Sequence, residues 1–309
     1  MPKSTENHGK RLKRDLEVSI IILNYNGMRF IKKLIESLEK QSYPKHKYEI
    51  IIADNGSSDG SVEYIEDIFP HIKMIKNEKN YGFSKGNNIP ISSSKSKYVF
   101  LINNDSWVHK DALNYLVRTM DSHPEAGCCG ADEYYYGDNI LKPKGPVRET
   151  VWIGAGATIY RKKALDQVGL LDEEFFADWE DVDLSFRLKI NGWKTYQDHR
   201  VIWYHAGKDP KRKFSSRRLM RAWRNRIFIL IKFASFPQAV GSLKVYLTSS
   251  KCKNRVSGFL RRLFIILAAS FYALPRMPSM FYKRFKLKDK RKHHDVDSWI
   301  RYVDESVSS

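Results

Sequence analysis

VSIIILNYNG at residues 18–27 decides the fold. Val18 to Leu23 is an unbroken apolar run rich in β-branched residues, the pattern of a strand buried on both faces of a parallel sheet. Asn24-Tyr25-Asn26-Gly27 turns the chain. Phe30, Ile31, Leu34, Ile35 and Leu38 then recur at helical spacing, which predicts an amphipathic helix to about Lys40.

The same alternation repeats outward. Tyr48–Ala53 (YEIIIA) reads as a second strand, Asp54–Ser61 as a polar turn, and the residues to about Phe69 as a short helix. Ile72–Ile75 reads as a third strand, Tyr98–Ile102 as a fourth, and Lys110–Ser122 as a helix. This predicts an α/β domain with a largely parallel sheet. Three polar clusters, Asn24–Asn26, Asp54–Asp59 and Asn103–Asp105, fall at predicted strand ends. Ligands of such sheets bind beyond the carboxyl ends of the strands, so the three clusters are expected to share one ligand.

After Gly154 the pattern changes. Gly154–Tyr160 (GAGATIY) reads as a strand of small residues, Arg161–Val168 as a helix, and Trp193–Tyr204 as extended. FFADWEDVD at 175–183 mixes aromatics with carboxylates, and a helix is expected from Asp181 through Ile190, closed by Gly192.

Each polar cluster admits two readings. Asp54-Asn55-Gly56-Ser57-Ser58-Asp59 is built of turn-forming residues, or Asp54 accepts a hydrogen bond from a base or ribose. Asp105 is a turn or cap residue, or an oxygen ligand for a hard divalent cation with phosphate ligands. Glu180, Asp181 and Asp183 complement a helix N-terminus at roughly 0.3–1 kcal/mol each, or one of them is a general base. His205 ends the β-like run VIWYH as a structural residue or as a metal ligand.

Composition narrows the field. Of 309 residues, 42% are hydrophobic and 29% charged, which excludes a mostly disordered chain. Cys128, Cys129 and Cys252 are odd in number and two are adjacent, so no disulfide framework is expected and a reducing compartment fits better. No Cys-x-x-Cys supports a thiolate zinc site, and no lysine-bearing Walker loop is present. Residues 1–17 form a polar leader without an apolar segment, so a cytoplasmic location is expected. No run of about 18–20 apolar residues is seen, so no spanning helix is expected; Leu263–Leu274 comes nearest.

The net charge of +19 is unevenly placed. Residues 206–309 hold 25 Lys+Arg against 6 Asp+Glu, whereas residues 1–205 hold 29 of each. This predicts a neutral domain over 18–206 followed by a basic region over 207–309. Arg212, Arg217, Arg218, Arg221, Arg224 and Arg226 crowd its start. Apolar helices are expected near Ile227–Phe236 and Val256–Leu274, with Lys283–Ser309 charged and poorly packed. The region is either an interfacial segment at an anionic membrane surface or a helical subdomain with a solvated basic face. A nucleic-acid binder would carry this charge too, but acidic clusters at the strand ends repel a polyanion, so no nucleic acid is expected.

Seven segments in order resemble the inverting family 2 glycosyltransferases of GT-A fold: VSIIILNYNG (18–27), IIADNGSSDGS (51–61), NYGFSKGNN (80–88), FLINNDSWV (100–108), GAGATIYRKKAL (154–165), FFADWEDVDLSFRLKINGW (175–193) and His205. NYGFSKGNN and INND are similar to the rhamnosyltransferase-like branch. The resemblance implies a nucleotide-sugar donor, carrying UDP or dTDP, and a glycan or lipid-linked acceptor. It implies donor contacts from Asn24, Tyr25, Asn26, Asp54, Asp59, Gly82, Lys85, Asn87, Asn104 and Arg224. Asp105 and His205 would hold Mg²⁺ or Mn²⁺, and Asp181 would be the catalytic base. The family's Asp-x-Asp metal motif departs here, with Asn103 in the first position. The missing charge bears on metal affinity and also leaves open a degenerate relative that binds nucleotide sugar without turnover.

Overall fold

The computed structural model describes residues 16–135, 145–206, 215–248 and 259–308. The polar leader up to residue 15 and the basic stretch at 207–214, including Arg212, lie outside the described residues. Strands β1 (Val18–Asn24), β2 (Tyr48–Asp54), β3 (Lys73–Lys76) and β4 (Tyr98–Asn103) form one half of the sheet in the order β3-β2-β1-β4, all parallel. Ile20, Ile21 and Ile22 of β1 are fully buried, as its continuous apolar run requires. Helices α1 (Met28–Glu39), α2 (Ser61–Ile68) and α3 (Gly82–Ser93) link these strands. Ile31, Leu34, Ile35 and Leu38 of α1 face the core.

Past β4 the sheet becomes mixed. It continues through β8 (Ala157–Arg161), β6 (Ala126–Tyr135), β9 (Lys194–His205) and β5 (Ser106–Val108), with β7 (Val147–Thr150) also on β9. Only the β6–β9 pair is parallel in this half. Helix α4 (Ala112–Ser122) packs against β6 and β9, and α5 (Lys162–Val168) and α6 (Glu180–Ile190) follow β8. The expected parallel order thus describes the N-terminal half. Strand β6, helix α3 and strand β5 carry no clear hydrophobic period, which is why the sequence did not announce them as elements.

The C-terminal region comprises α7 (Ser216–Phe233), α8 (Phe236–Thr248), α9 (Phe259–Ala273), α10 (Met277–Arg291) and α11 (Val296–Ser308). A second core joins it to the sheet domain: Phe175, Val182 and Phe186 meet Phe228, Phe233, Met280 and Ile300. One expectation is corrected here. The end of the chain is packed, because Val296, Ile300 and Val303 of α11 present one apolar face to this core and are at most 4% exposed. Helices α9 and α10 join through a short 3-10 turn, so Arg262–Arg291 is a helical run of 30 residues that reaches spanning length and hydropathy by composition alone. Only 28% of its apolar window is buried in the fold.

Candidate active site

The parallel register sets the site. Asn24 lies opposite Asp54 and Leu23 opposite Asn103, so the carboxyl ends of β1, β2 and β4 are level. Asn24 is fully buried and its amide donates to Asp54 Oδ1 at 2.9 Å and to Ser61 Oγ at 2.9 Å. Asn104 reaches back to Asn24 Oδ1 at 3.3 Å, closing the β1 and β4 loops on each other.

Asp54 is 3% exposed and accepts four hydrogen bonds. Asn24 and the Ser57 hydroxyl donate to one oxygen, and the Gly56 and Ser57 amides to the other. A carboxylate has about four lone-pair sites, so the loop saturates it. The geometry shows the turn role: Asp54 organises the loop. Asp59 bridges loops likewise, accepting from the Met28 amide at 2.8 Å and from Ser61. Burial works against its charge, but these hydrogen bonds outweigh it and hold the carboxyl below its ordinary range. Asn87 is buried and donates to the Phe83 carbonyl within α3. Tyr25, Asn26, Asp59 and Lys85 remain exposed around the cluster, and Asn104 partly so.

Asp105 and His205 meet at 3.1 Å, Oδ1 to Nε2. His205 Nδ1 sits 2.7 Å from Glu133 Oε1, and Trp203 stacks on the imidazole at 5.1 Å. Burial alone would lower the imidazole pKa, but hydrogen bonds to Asp105 and Glu133 prevail and lift it to about 9. Among the described residues no group of three or more His, Cys, Asp and Glu is arranged as a metal cage. The pair nonetheless suits a cation that keeps water and phosphate oxygens, and a carboxylate behind the imidazole is the usual way to aim the other nitrogen at a metal. Glu133 was absent from the sequence reading. Between Ala131 and Asp132 of β6 the partner on β9 advances from Asp198 to Ile202, so β9 bulges here and the register of this stretch shifts.

The carboxylates of 178–183 separate into distinct roles. Asp178 and Trp179 adopt left-handed φ of 72° and 77°, costly for side-chain-bearing residues at about 1–3 kcal/mol each. The loop is held from outside: Asn225 donates to the carbonyls of Ala177 and Asp178, and Arg218 and Arg221 bind the Asp178 carboxylate, each at 3.0 Å. Arg224 donates to Asn225 and to the Glu174 carbonyl, so its described contacts brace this loop and go to no strand-end residue. Asp183 is fully buried against Arg187 and Lys232. Glu180 is 6% exposed with Oε2 unbonded. Burial, then the Asp181 charge, pushes its pKa well above the carboxylate range. Asp181 is partly buried, and burial lifts it to about 6 against amide hydrogen bonds from Val182 and Ala155.

Gly154–Gly156 joins the two halves of the site. A Cβ on Gly154 would lie 3.7 Å from Asp181 Oδ2, and the Gly156 carbonyl accepts from the Asn103 amide at 2.9 Å. Asp181 therefore borders the same strand-end cluster as Asn103-Asn104-Asp105. On the far side Gly82 (φ 82°) meets the 176 loop, with the Phe83 amide 2.6 Å from the Phe176 carbonyl oxygen. A Cβ on Gly82 would sit 2.4 Å from that oxygen. Gly82→Ala should lower stability by about 1–3 kcal/mol and reduce turnover as the loop before Asp181 shifts. A thermal melt and a rate unchanged from wild type would contradict this.

Residues 19–171 match the family model for glycosyl transferase family 2. The chain carries a glycosyl transferase family 2 domain. Among curated relatives of this domain is the Staphylococcus aureus poly(ribitol-phosphate) β-N-acetylglucosaminyltransferase TarS, 26% identical over 111 residues, 35% of this chain and 19% of TarS. The chain thus spans about a fifth of that relative. The Mycobacterium tuberculosis N-acetylglucosaminyl-diphospho-decaprenol L-rhamnosyltransferase is 22% identical over 62% of this chain and 78% of the relative. A structure of S. aureus TarS in complex with UDP superposes with a TM-score of 0.61 at 19% identity, covering 93% of this chain and 92% of that one. A Pyrobaculum calidifontis mannosyltransferase in complex with GDP-Man and Mn²⁺ gives 0.55 at 14% identity, covering 89% and 85%. These likenesses establish the GT-A fold of the family 2 domain.

Proposed function

We propose that the chain transfers a sugar from a nucleoside diphosphate sugar to an acceptor hydroxyl, with inversion at the anomeric carbon. The observation that carries this is one strand-end cluster bordered by a half-buried carboxylate, Asp181, on one side and the Asp105–His205 pair on the other.

Tyr25, Asn26, Asp59, Lys85 and Asn104 would contact the donor nucleotide, on a loop frame set by Asn24 and Asp54. Asp105 and His205 would hold Mg²⁺ or Mn²⁺, with Glu133 fixing the imidazole. A bound cation would supply Lewis-acid neutralisation of the diphosphate leaving group. Arg224, by bracing the loop at 174–178, would help to aim Asp181. Asp181 would accept the proton of the acceptor hydroxyl as its oxygen bonds to the anomeric carbon and the bond to the diphosphate breaks. One displacement from the opposite face inverts the configuration.

A UDP or dTDP donor is supported by the UDP complex of TarS, and a rhamnosyl donor by the mycobacterial relative. That relative's name also supports a lipid-linked acceptor. A thermal-shift and hydrolysis screen of UDP-, dTDP- and GDP-sugars, with and without Mg²⁺ or Mn²⁺, tests the reading. One uridine or thymidine diphosphate sugar should raise the melting temperature by a few degrees, as ligand linkage requires. No response to any nucleotide sugar would overturn it. In Asp105→Ala, hydrolysis should fall to its metal-free level; undiminished metal stimulation would remove Asp105 from the cation site.

A further inference from the structure

Phe264, Leu267, Phe271 and Leu274 on α9 and its following turn, then Phe281 and Phe285 on α10, are 55–72% exposed. Their spacing of three and four residues continues across the turn, with exposed Pro278 in the gap. They form one apolar stripe along the outer side of the helical run. The opposite side is fixed: Ile265 and Ala269 pack with Trp223 of α7, and Ala273 and Met280 lie in the core shared with α6. Soluble proteins rarely leave so continuous an apolar surface bare.

We propose that this stripe docks the protein on an anionic lipid bilayer, lying in the interface plane. Charge complementarity selects this occupant. Lys286, Lys288, Lys290 and Lys292 are exposed at the same end of the stripe, against Asp289 as the exposed acid of α10. Beside Phe281 and Phe285 opens a cleft of about 560 Å³, lined by Arg284, Lys288, Arg291 and Lys292 as well as Asp295 and Asp297. Cations outnumber acids there, which suits an anionic headgroup. None of the site residues described above lines this cleft.

Aromatics beside lysines are the composition of an interfacial helix. A seam for a second copy favours Leu, Ile and Val on an uninterrupted helix, and Pro278 opposes that. Crossing the bilayer would strip Ile265, Ala269 and Met280 from their packing. Arg276 binds Glu174, and Lys283 binds Asp172 at 2.7 Å. Docking therefore sets the loop that leads to Asp181 behind the helical run, on the side away from the lipid.

Cosedimentation of the full chain with phosphatidylcholine vesicles, with or without about 30% phosphatidylglycerol, tests this without any donor sugar. Its failure would leave the transferase reading standing. Binding should require the anionic lipid and weaken in about 0.5 M salt. The triple variant F271D/F281D/F285D should lose binding roughly tenfold. Its melting temperature should be unchanged, because the three rings are exposed. Equal binding to neutral vesicles, or no binding, would overturn the proposal. So would a dimer abolished by the triple variant without vesicle binding, or membrane attachment that survives both salt and alkaline extraction.

Discussion

Asp181→Asn should cut turnover about 10²–10⁴-fold, the usual worth of a positioned base, while donor binding persists. The geometry explains why this carboxylate and not a neighbour. Glu180 is buried with an unbonded oxygen and held neutral, Asp183 is locked in ion pairs, and Asp178 is bound by two arginines. Asp181 alone of the four combines partial burial with an oxygen facing Gly154. With its pKa raised to about 6, the rate should rise with pH through about 6 and level off above it. The sign for stability is opposite. A folded-state pKa above the ordinary 3.8 favours the native state below that value, and this contribution is lost as pH rises through about 6. At pH 7 the ionised Asp181 therefore strains the fold, and Asp181→Asn should melt no lower than wild type. Steady-state rates and melts of the one variant read both effects. A variant with near wild-type turnover would take the base role from Asp181.

Lys232→Met should lower stability by about 1–3 kcal/mol, the cost of stripping a hydrogen-bonding cation from two buried carboxylates that each keep one other. Lys232 is 1% exposed and joins Asp172, at 2.9 Å, to Asp183. Arg187 also holds Asp183, at 2.7 Å, and Lys283 also holds Asp172. Removing the central ammonium leaves two carboxylates facing a dry interface between α6 and α7. Burial raises the Asp172 pKa, but the charges of Lys232 and Lys283 outweigh it and bring it to about 2. A depressed carboxylate contributes stability that is fully present above its ordinary 3.8 and lost as pH falls through about 2. In the variant that loss should begin at higher pH, so the acid midpoint should rise along with the drop in melting temperature. Denaturant melts at neutral and acid pH measure both; a cost below about 1 kcal/mol would show that the pair is as weak as a surface bridge.

The strands that carry the site were legible because each is a short apolar run ending in polar residues. Val18–Leu23, Tyr48–Ala53 and Tyr98–Ile102 match β1, β2 and β4 to within a residue or so. Helix α3 escaped because NYGFSKGNN has no helical hydrophobic period, and its role is to bring Gly82 against Phe176. Lys232 gave no sign of its role: one lysine in a basic, apolar helix looks like any solvated charge until Asp172 and Asp183 are placed beside it. Asp54 has a structural role that its residue type alone did not single out. Its residue type fits a ligand contact, while its four internal hydrogen bonds make it a keystone of the loop.

Taken alone, the order of residues determined the α/β plan, the level of the three polar clusters and the bias of charge to the last third. Those properties are local, since period, turn chemistry and composition act over a few residues. The tertiary structure alone decided which carboxylate of Glu180, Asp181 and Asp183 stays near solvent, that Glu133 stands behind His205, and that α9–α10 turns an aromatic stripe outward. Each of these depends on which distant surface covers a side chain, and burial by a partner far along the chain leaves no mark on the neighbouring residues.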